Sequence, residues 1–139
     1  MVKTILILED EPLLMKLMHS MIDRHGYHVL ESAGGEEAVR QFRDFGRRID
    51  LLIADVSMPG ISGIQVASQL RRELPDLQVI LTSGYPPSAW SARDCRYLLE
   101  LGSDSVSILL KPFPARILLN TISQLLGAQP PAVLGASAS

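Results

Sequence analysis

With a single cysteine, Cys95, the chain has no means of building a disulfide framework or a cysteine metal site within itself. That residue reads as an inert thiol on or beside a helix. No apolar run is long enough to cross a membrane, and the apolar start at residues 5–8 meets three carboxylates at once, too soon for a signal peptide. The expected location is therefore cytoplasmic. A basic field for nucleic acid is also missing: the formal net charge is −2, and Asp50 and Glu73 lie close in sequence to the doublets Arg47-Arg48 and Arg71-Arg72. No direct nucleic-acid partner is expected. No G-x-G-x-x-G follows the first apolar run, which disfavours a dinucleotide site. His19, His25 and His28 contain no i, i+4 ligand pair, so they read as surface histidines.

The rest of the composition describes a packed domain. Hydrophobic residues make up 47% and charged residues 20%, a balance that buries a core without disorder. At 139 residues the chain fits one domain by the usual size of about 100–200 residues. That domain is expected over residues 1–126. Residues 127–139 have no charged side chain and are rich in Ala, Pro, Gly and Ser, so they read as a flexible tail or linker remnant.

Two periodicities alternate along the domain. Residues 2–8, 27–31, 51–54, 77–81 and 106–110 are short apolar runs of the kind that form buried parallel strands. Helical spacing fills the intervals. Leu13, Leu14, Leu17, Met18, Met21 and Ile22 form one apolar stripe, closed by Gly26, and Ile117, Leu118, Thr121, Ile122, Leu125 and Leu126 form another, closed by Gly127. Pro12 suits a first helical turn, and Ser62 is placed to cap the third helix. Five strands alternating with five helices predict an α/β three-layer sandwich with a parallel sheet and right-handed crossovers.

Chemistry collects where these strands end. In such sheets ligands bind outside the carboxyl ends of the strands. Glu9-Asp10-Glu11 follow the first strand, Asp55 closes the third before the turn Val56-Ser57-Met58-Pro59-Gly60, Thr82-Ser83-Gly84 follow the fourth, and Lys111-Pro112 follow the fifth. Carboxylates, a hydroxyl and an ammonium on one edge suit a divalent metal and a phosphoryl group. Adjacent carboxylates repel one another unless a cation neutralises them. Mg²⁺, a hard ion that keeps several waters, needs only one or two of them directly. Taken alone, Asp10 and Glu11 would simply complement a helix dipole, Asp55 would start a turn, and Lys111 would be an exposed loop lysine. Their joint presence favours the site.

The runs ILILEDE, LLIADVSMPGISG, VILTSGY and LLKPF, in this order, resemble the receiver domain of two-component response regulators over residues 2–126. The resemblance implies a flavodoxin-like (βα)5 fold with strand order 2-1-3-4-5. It implies Asp55 as phosphoacceptor, Lys111 and Thr82 as its phosphoryl-binding partners, and a Mg²⁺ site. In that site Asp10 and Asp55 bind directly, Ser57 binds through its carbonyl, and Glu9 acts through water. The implied function is signalling rather than enzymatic turnover. Asp55 takes a phosphoryl group from the phosphohistidine of a sensor histidine kinase or phosphotransfer protein, and an output surface then switches. That surface is the fourth helix–fifth strand–fifth helix face, with a homodimer through it as a further option. The Ser-Gly-Tyr run is similar to receivers attached to hybrid kinases, and a stand-alone receiver is equally open. A receiver-like interaction module that is never phosphorylated is the alternative. An aspartyl-phosphate phosphatase would want a second acid at position 57, where this chain has Ser. One departure bears on the switch: the family commonly has an aromatic three residues before the lysine, and this chain has Ile108. The stretch from Thr82 to Lys111 is also longer than usual. Its extra residues are expected near 86–91 or 102–105. Trp90 reads as a packing anchor between that loop and the fourth helix.

Overall fold

The computed structural model describes residues 2–46 and 48–127. Five strands, β1 (Thr4–Leu8), β2 (His28–Ser32), β3 (Leu51–Asp55), β4 (Gln78–Ser83) and β5 (Ser107–Leu110), form one parallel sheet in the order β2-β1-β3-β4-β5. Five helices connect and cover it: α1 (Pro12–Arg24), α2 (Gly35–Asp44), α3 (Gly63–Glu73), α4 (Ala92–Leu101) and α5 (Ala115–Leu126). This is the three-layer α/β sandwich that the alternating pattern predicted.

The period of two in the strands sorts the core into two halves. Ile5, Ile7, Leu51, Ile53 and Ile80 face α1 and α5, where Met18, Ile22, Leu118 and Ile122 meet them. Leu6, Leu8, Leu52, Ala54, Val79 and Leu81 face the other way, against Phe42 of α2 and Ile64, Ala67 and Leu70 of α3. Central strands buried on both faces must be apolar throughout, which is why β1 and β3 read as continuous hydrophobic runs.

Helix ends obey local chemistry. Pro12 occupies the first turn of α1, and the Glu11 carboxylate accepts from the Leu13 and Leu14 N–H groups at 2.7 and 3.4 Å. Gly26 leaves that helix with φ 90°. Ser62 caps α3 by accepting from the Gln65 N–H at 3.4 Å. The two segments where extra residues were expected carry single 3₁₀ turns, Pro87–Ala89 and Ser103–Ser105.

Three expectations need correction or fall outside. The apolar stripe on α1 is wider than its contact with the sheet. Met15, Met18 and Ile22 are buried, whereas Leu13 and Leu17 are 64% and 57% exposed. Of the arginine doublets, Arg47 lies outside the described residues, and the acids near the doublets have partners elsewhere as well. Asp50 accepts the Thr4 N–H at 2.8 Å, Glu73 pairs with Arg43 at 3.2 Å, and the Arg71 guanidinium donates to the backbone carbonyls of Leu77, Leu101 and Ser105. The proposed tail beyond Gly127 lies outside the described residues. Among the described residues no helix is long and apolar enough to cross a membrane.

Gly63, the first residue of α3, touches the end of β3 so closely that a Cβ there would lie 2.1 Å from the Asp55 carbonyl oxygen. No L side chain fits without moving the strand end. Gly63→Ala is expected to cost about 1–3 kcal/mol, as overpacking does. Urea unfolding measures this, and an unchanged midpoint would contradict it.

Candidate functional site

Parallel pairing aligns the strand ends, and the loops leaving β1, β3, β4 and β5 put the predicted residues on one edge. Asp55 is the register partner of Thr82 across β3 and β4, and the Val56 N–H donates to the Thr82 carbonyl at 2.9 Å. The Lys111 N–H donates to the Ser83 carbonyl at 2.8 Å, which fixes the start of the β5–α5 loop beside β4. The Lys111–Pro112 peptide is cis.

The Lys111 ammonium bridges two carboxylates, donating to Glu9 Oε1 and Asp55 Oδ2 at 3.0 Å each. Both carboxylates are buried, so the lysine is no free loop residue. Each acid is held at its second oxygen as well. The Ser57 N–H donates to Asp55 Oδ1 and the Glu11 N–H donates to Glu9 Oε2, both at 3.0 Å. Burial pushes the Glu9 carboxyl above the ordinary carboxylate range, and the hydrogen bonds from Lys111 and Glu11 offset only part of this. Burial alone would lower Lys111, but its hydrogen bonds to Glu9 and Asp55 outweigh that and hold it above the ordinary lysine value.

Asp10 is exposed at the mouth, and Glu9, Asp10 and Asp55 each bring an oxygen within 4.8 Å of the others. Oxygen donors without histidine or thiol, open to solvent on one side, fit a hard divalent cation. Glu11 belongs elsewhere, since its carboxylate caps α1. Thr82 is buried beside Asp55, its register partner. Ser57 stands exposed in the loop after β3.

Two contributors went unrecognised in the sequence. Gly63 signals itself only as a glycine opening a helix, and its contact is made by backbone across the loop. Ser83 is fully buried, and its hydroxyl accepts the Trp90 indole N–H at 3.2 Å. A serine ending an apolar strand announces no such partner. Trp90 does pack against the core beside α4, together with Ile108 and Tyr97. Tyr85 is 63% exposed. Of the histidines, His19 pairs with Glu31 at 2.6 Å and His28 stacks on Phe45, so neither joins the site.

The family described as response regulator receiver domain matches residues 5–123. The chain belongs to this family. The receiver is 32% identical over 126 residues to the sensor kinase CckA of Brucella abortus, covering 91% of this chain and 13% of that protein. It is 34% identical over 113 residues to the response regulator GtcR of Aneurinibacillus migulanus, covering 81% of this chain and 43% of that one. The receiver thus spans less than half the length of either relative. Among solved structures it resembles the response regulator TrrA of Thermotoga maritima in complex with Mg²⁺ and BeF, with TM-score 0.72 and 32% identity over 90% of this chain and all of that one.

The raised Glu9 carboxyl has a consequence for stability. The folded state holds this proton more tightly than the unfolded chain, so ionising Glu9 costs stability as pH rises through its raised pKa. In metal-free buffer at neutral pH, Glu9→Gln should therefore melt above the wild type. The gap should close as pH falls toward the ordinary glutamate value of 4.5. Thermal melts with chelator from neutral to mildly acid pH test this. A gap that widens on acidification would contradict it.

Proposed function

We propose that Asp55 is the phosphoacceptor of this receiver, taking a phosphoryl group from a phosphohistidine on a sensor histidine kinase or phosphotransfer protein. The bridging of Asp55 and Glu9 by the Lys111 ammonium carries this reading. Asp55 Oδ forms a bond to phosphorus as the P–N bond to the donor imidazole breaks, and the electron pair returns to that nitrogen. Charge on the transferring oxygens needs stabilisation by position more than by covalent help. Lys111 supplies an ammonium that can exchange its carboxylate for a phosphoryl oxygen, and Thr82, in register with Asp55, has a hydroxyl to offer another. The Ser57 N–H orients Asp55 through Oδ1. Water attack on the acyl phosphate returns inorganic phosphate, so the domain assists its own loading and unloading without turning over a free substrate.

Glu9, Asp10, Asp55 and the Ser57 carbonyl are the proposed holders of Mg²⁺, with Asp10 and Asp55 direct and Glu9 through water. Bound there, the ion would neutralise the acids and take up charge on a phosphoryl oxygen. Mg²⁺ should raise the melting temperature of the wild type by mass action. Asp10→Asn should remove that response and melt higher than the wild type under chelation, because it relieves repulsion within the acid cluster. An unchanged Mg²⁺ response in Asp10→Asn would overturn the assignment.

The donor is proposed to dock on α1. Leu13 and Leu17 are exposed, and with Leu14, Pro112 and Phe113 they line an open groove of about 450 Å³ that ends at Lys111. A helix carrying a phosphohistidine can cover this apolar strip and reach Asp55. A second copy is the proposed partner of the α4–β5–α5 face, where Leu99 and Leu110 are exposed. A cytoplasmic location goes with these partners. No feature of the site favours the unphosphorylated module, since acid, lysine and hydroxyl are all in place.

Intact mass after incubation with Mg²⁺ and acetyl phosphate tests the phosphoacceptor. A gain of one phosphoryl group, absent in Asp55→Asn, is the expected result, and no gain in the wild type would overturn the reading. Leu17→Glu should slow transfer from a kinase by about tenfold, the loss of one apolar anchor. It should leave loading from acetyl phosphate unchanged.

A further inference from the structure

We propose that Trp90 is a positioning residue that couples Thr82 to the start of α4 through the Ser83 hydroxyl. The proposal rests on the phosphoacceptor reading of the site. Successive residues of a strand point to opposite faces of the sheet. Thr82 is in register with Asp55, whereas Ser83 follows the parity of Leu81 and faces the layer that holds α3 and α4. One peptide therefore joins the phosphoryl side of the sheet to the α4 side. Any shift that draws the Thr82 hydroxyl toward a ligand must move the Ser83 hydroxyl in the other layer.

What Ser83 holds there is specific. Its Oγ is fully buried and accepts two N–H groups, that of Tyr85 at 3.0 Å and the Trp90 indole at 3.2 Å. The same indole N–H also reaches the Tyr85 carbonyl at 2.9 Å. One donor shared between two acceptors can shift its weight from one to the other at small cost. That makes the contact adjustable rather than rigid.

The next residue after the indole is Ser91, which caps α4 by accepting the Asp94 N–H at 3.1 Å. Displacement of Trp90 is thus delivered to the first turn of this helix. α4 is able to respond because none of its residues is fully buried. Polar contacts to α3 hold it: Ser62 Oγ donates to Asp94 Oδ1 at 3.1 Å, and Ser68 Oγ donates to Glu100 Oε1 at 3.3 Å. At its far end Arg71 of α3 donates to the Leu101 and Ser105 carbonyls. The far end carries the bonds to Glu100, Leu101 and Ser105, while the near end has Ser62–Asp94 and the indole link to β4. A pivot about the Arg71 end, with Ser62–Asp94 as the bond that must yield, is the proposed motion.

Hydrogen–deuterium exchange of the whole chain with Mg²⁺, with and without beryllofluoride, tests this in wild type, Trp90→Phe and Ser83→Ala. In the wild type the mimic should change exchange both in the loop at residues 56–60 and in α4. Both variants should still bind the mimic and keep the loop response, but lose the α4 response. Trp90 fluorescence should shift in the wild type, and Ser83→Ala and Thr82→Ala should suppress the shift. If Trp90→Phe does not fold, Ser83→Ala decides, since it retains the indole and its packing. A full α4 response in the folded variants, or a wild type that binds the mimic with α4 unchanged, overturns the coupling alone. A wild type that binds no beryllofluoride overturns the phosphoacceptor reading and the coupling with it.

Discussion

Three carboxylates meet where β1 and β3 end, and their mutual repulsion is the constraint around which this edge of the molecule is arranged. Glu9 and Asp55 are buried, so water cannot screen them, and a buried charge without a partner costs several kcal/mol. Lys111 answers both at once, from a residue 102 positions from Glu9 and 56 from Asp55 in sequence. The remaining oxygens are held by backbone N–H groups of Ser57 and Glu11. The acids are therefore tolerated only through a cation and two amides delivered by separate loops, and the parallel sheet is what delivers them together. Asp10 stays outside this arrangement, exposed to solvent and adding negative charge beside the buried pair.

The sheet is unevenly supported. β1 and β3 lie between helices on both faces and are wholly buried, while β5 at the edge has no buried residue and leaves Leu110 exposed. α4 stands over this weaker side and contributes no fully buried residue, in contrast to α3, which contributes six. Apolar burial gives no direction to a motion, but polar clips such as Ser62–Asp94 and Ser68–Glu100 can be exchanged for water at about 0.5–1.5 kcal/mol each. Elements that move are drawn from the least stable end of a fold. Rigidity thus lies under the acids, and compliance lies where a signal would have to leave.

Much of this could be read in the sequence, and what could not be read has physical reasons. Strands buried on both faces must be apolar runs, so β1 and β3 announced themselves, and the acids that followed them announced the edge. Pro12, Gly26 and Ser62 gave local signals because capping depends on neighbours in sequence. Strand order came by resemblance, since no local rule orders parallel strands. The outward position of Leu13 and Leu17 was hidden, because a helix stripe records hydrophobicity and not which part of it the sheet covers. Arg71 and Gly63 were hidden for another reason: both act through backbone atoms brought near by the tertiary fold, and a carbonyl has no letter in a sequence. The proposed part of Lys111 as a ligand for phosphate was read from the sequence, and its pairing with two buried acids was not.

That double role constrains how the site can respond. While Lys111 is bonded to Glu9 and Asp55, a phosphoryl group that claims the ammonium must leave those carboxylates with less compensation. Acyl phosphate formation on Asp55, as proposed, would remove much of that demand, because the charge would then reside on the phosphoryl oxygens. Glu9 would retain its demand, since burial raises its carboxyl despite the bonds from Lys111 and Glu11. The added phosphoryl charge would draw Lys111 toward it, leaving Glu9 with the Glu11 N–H and any cation that Asp10 would help to hold. On the proposed reading, metal and phosphoryl group would therefore favour one another through the chain's own charges: a cation near Asp10 would ease the demand of Glu9 on Lys111, and a phosphoryl group would give that ammonium a new partner.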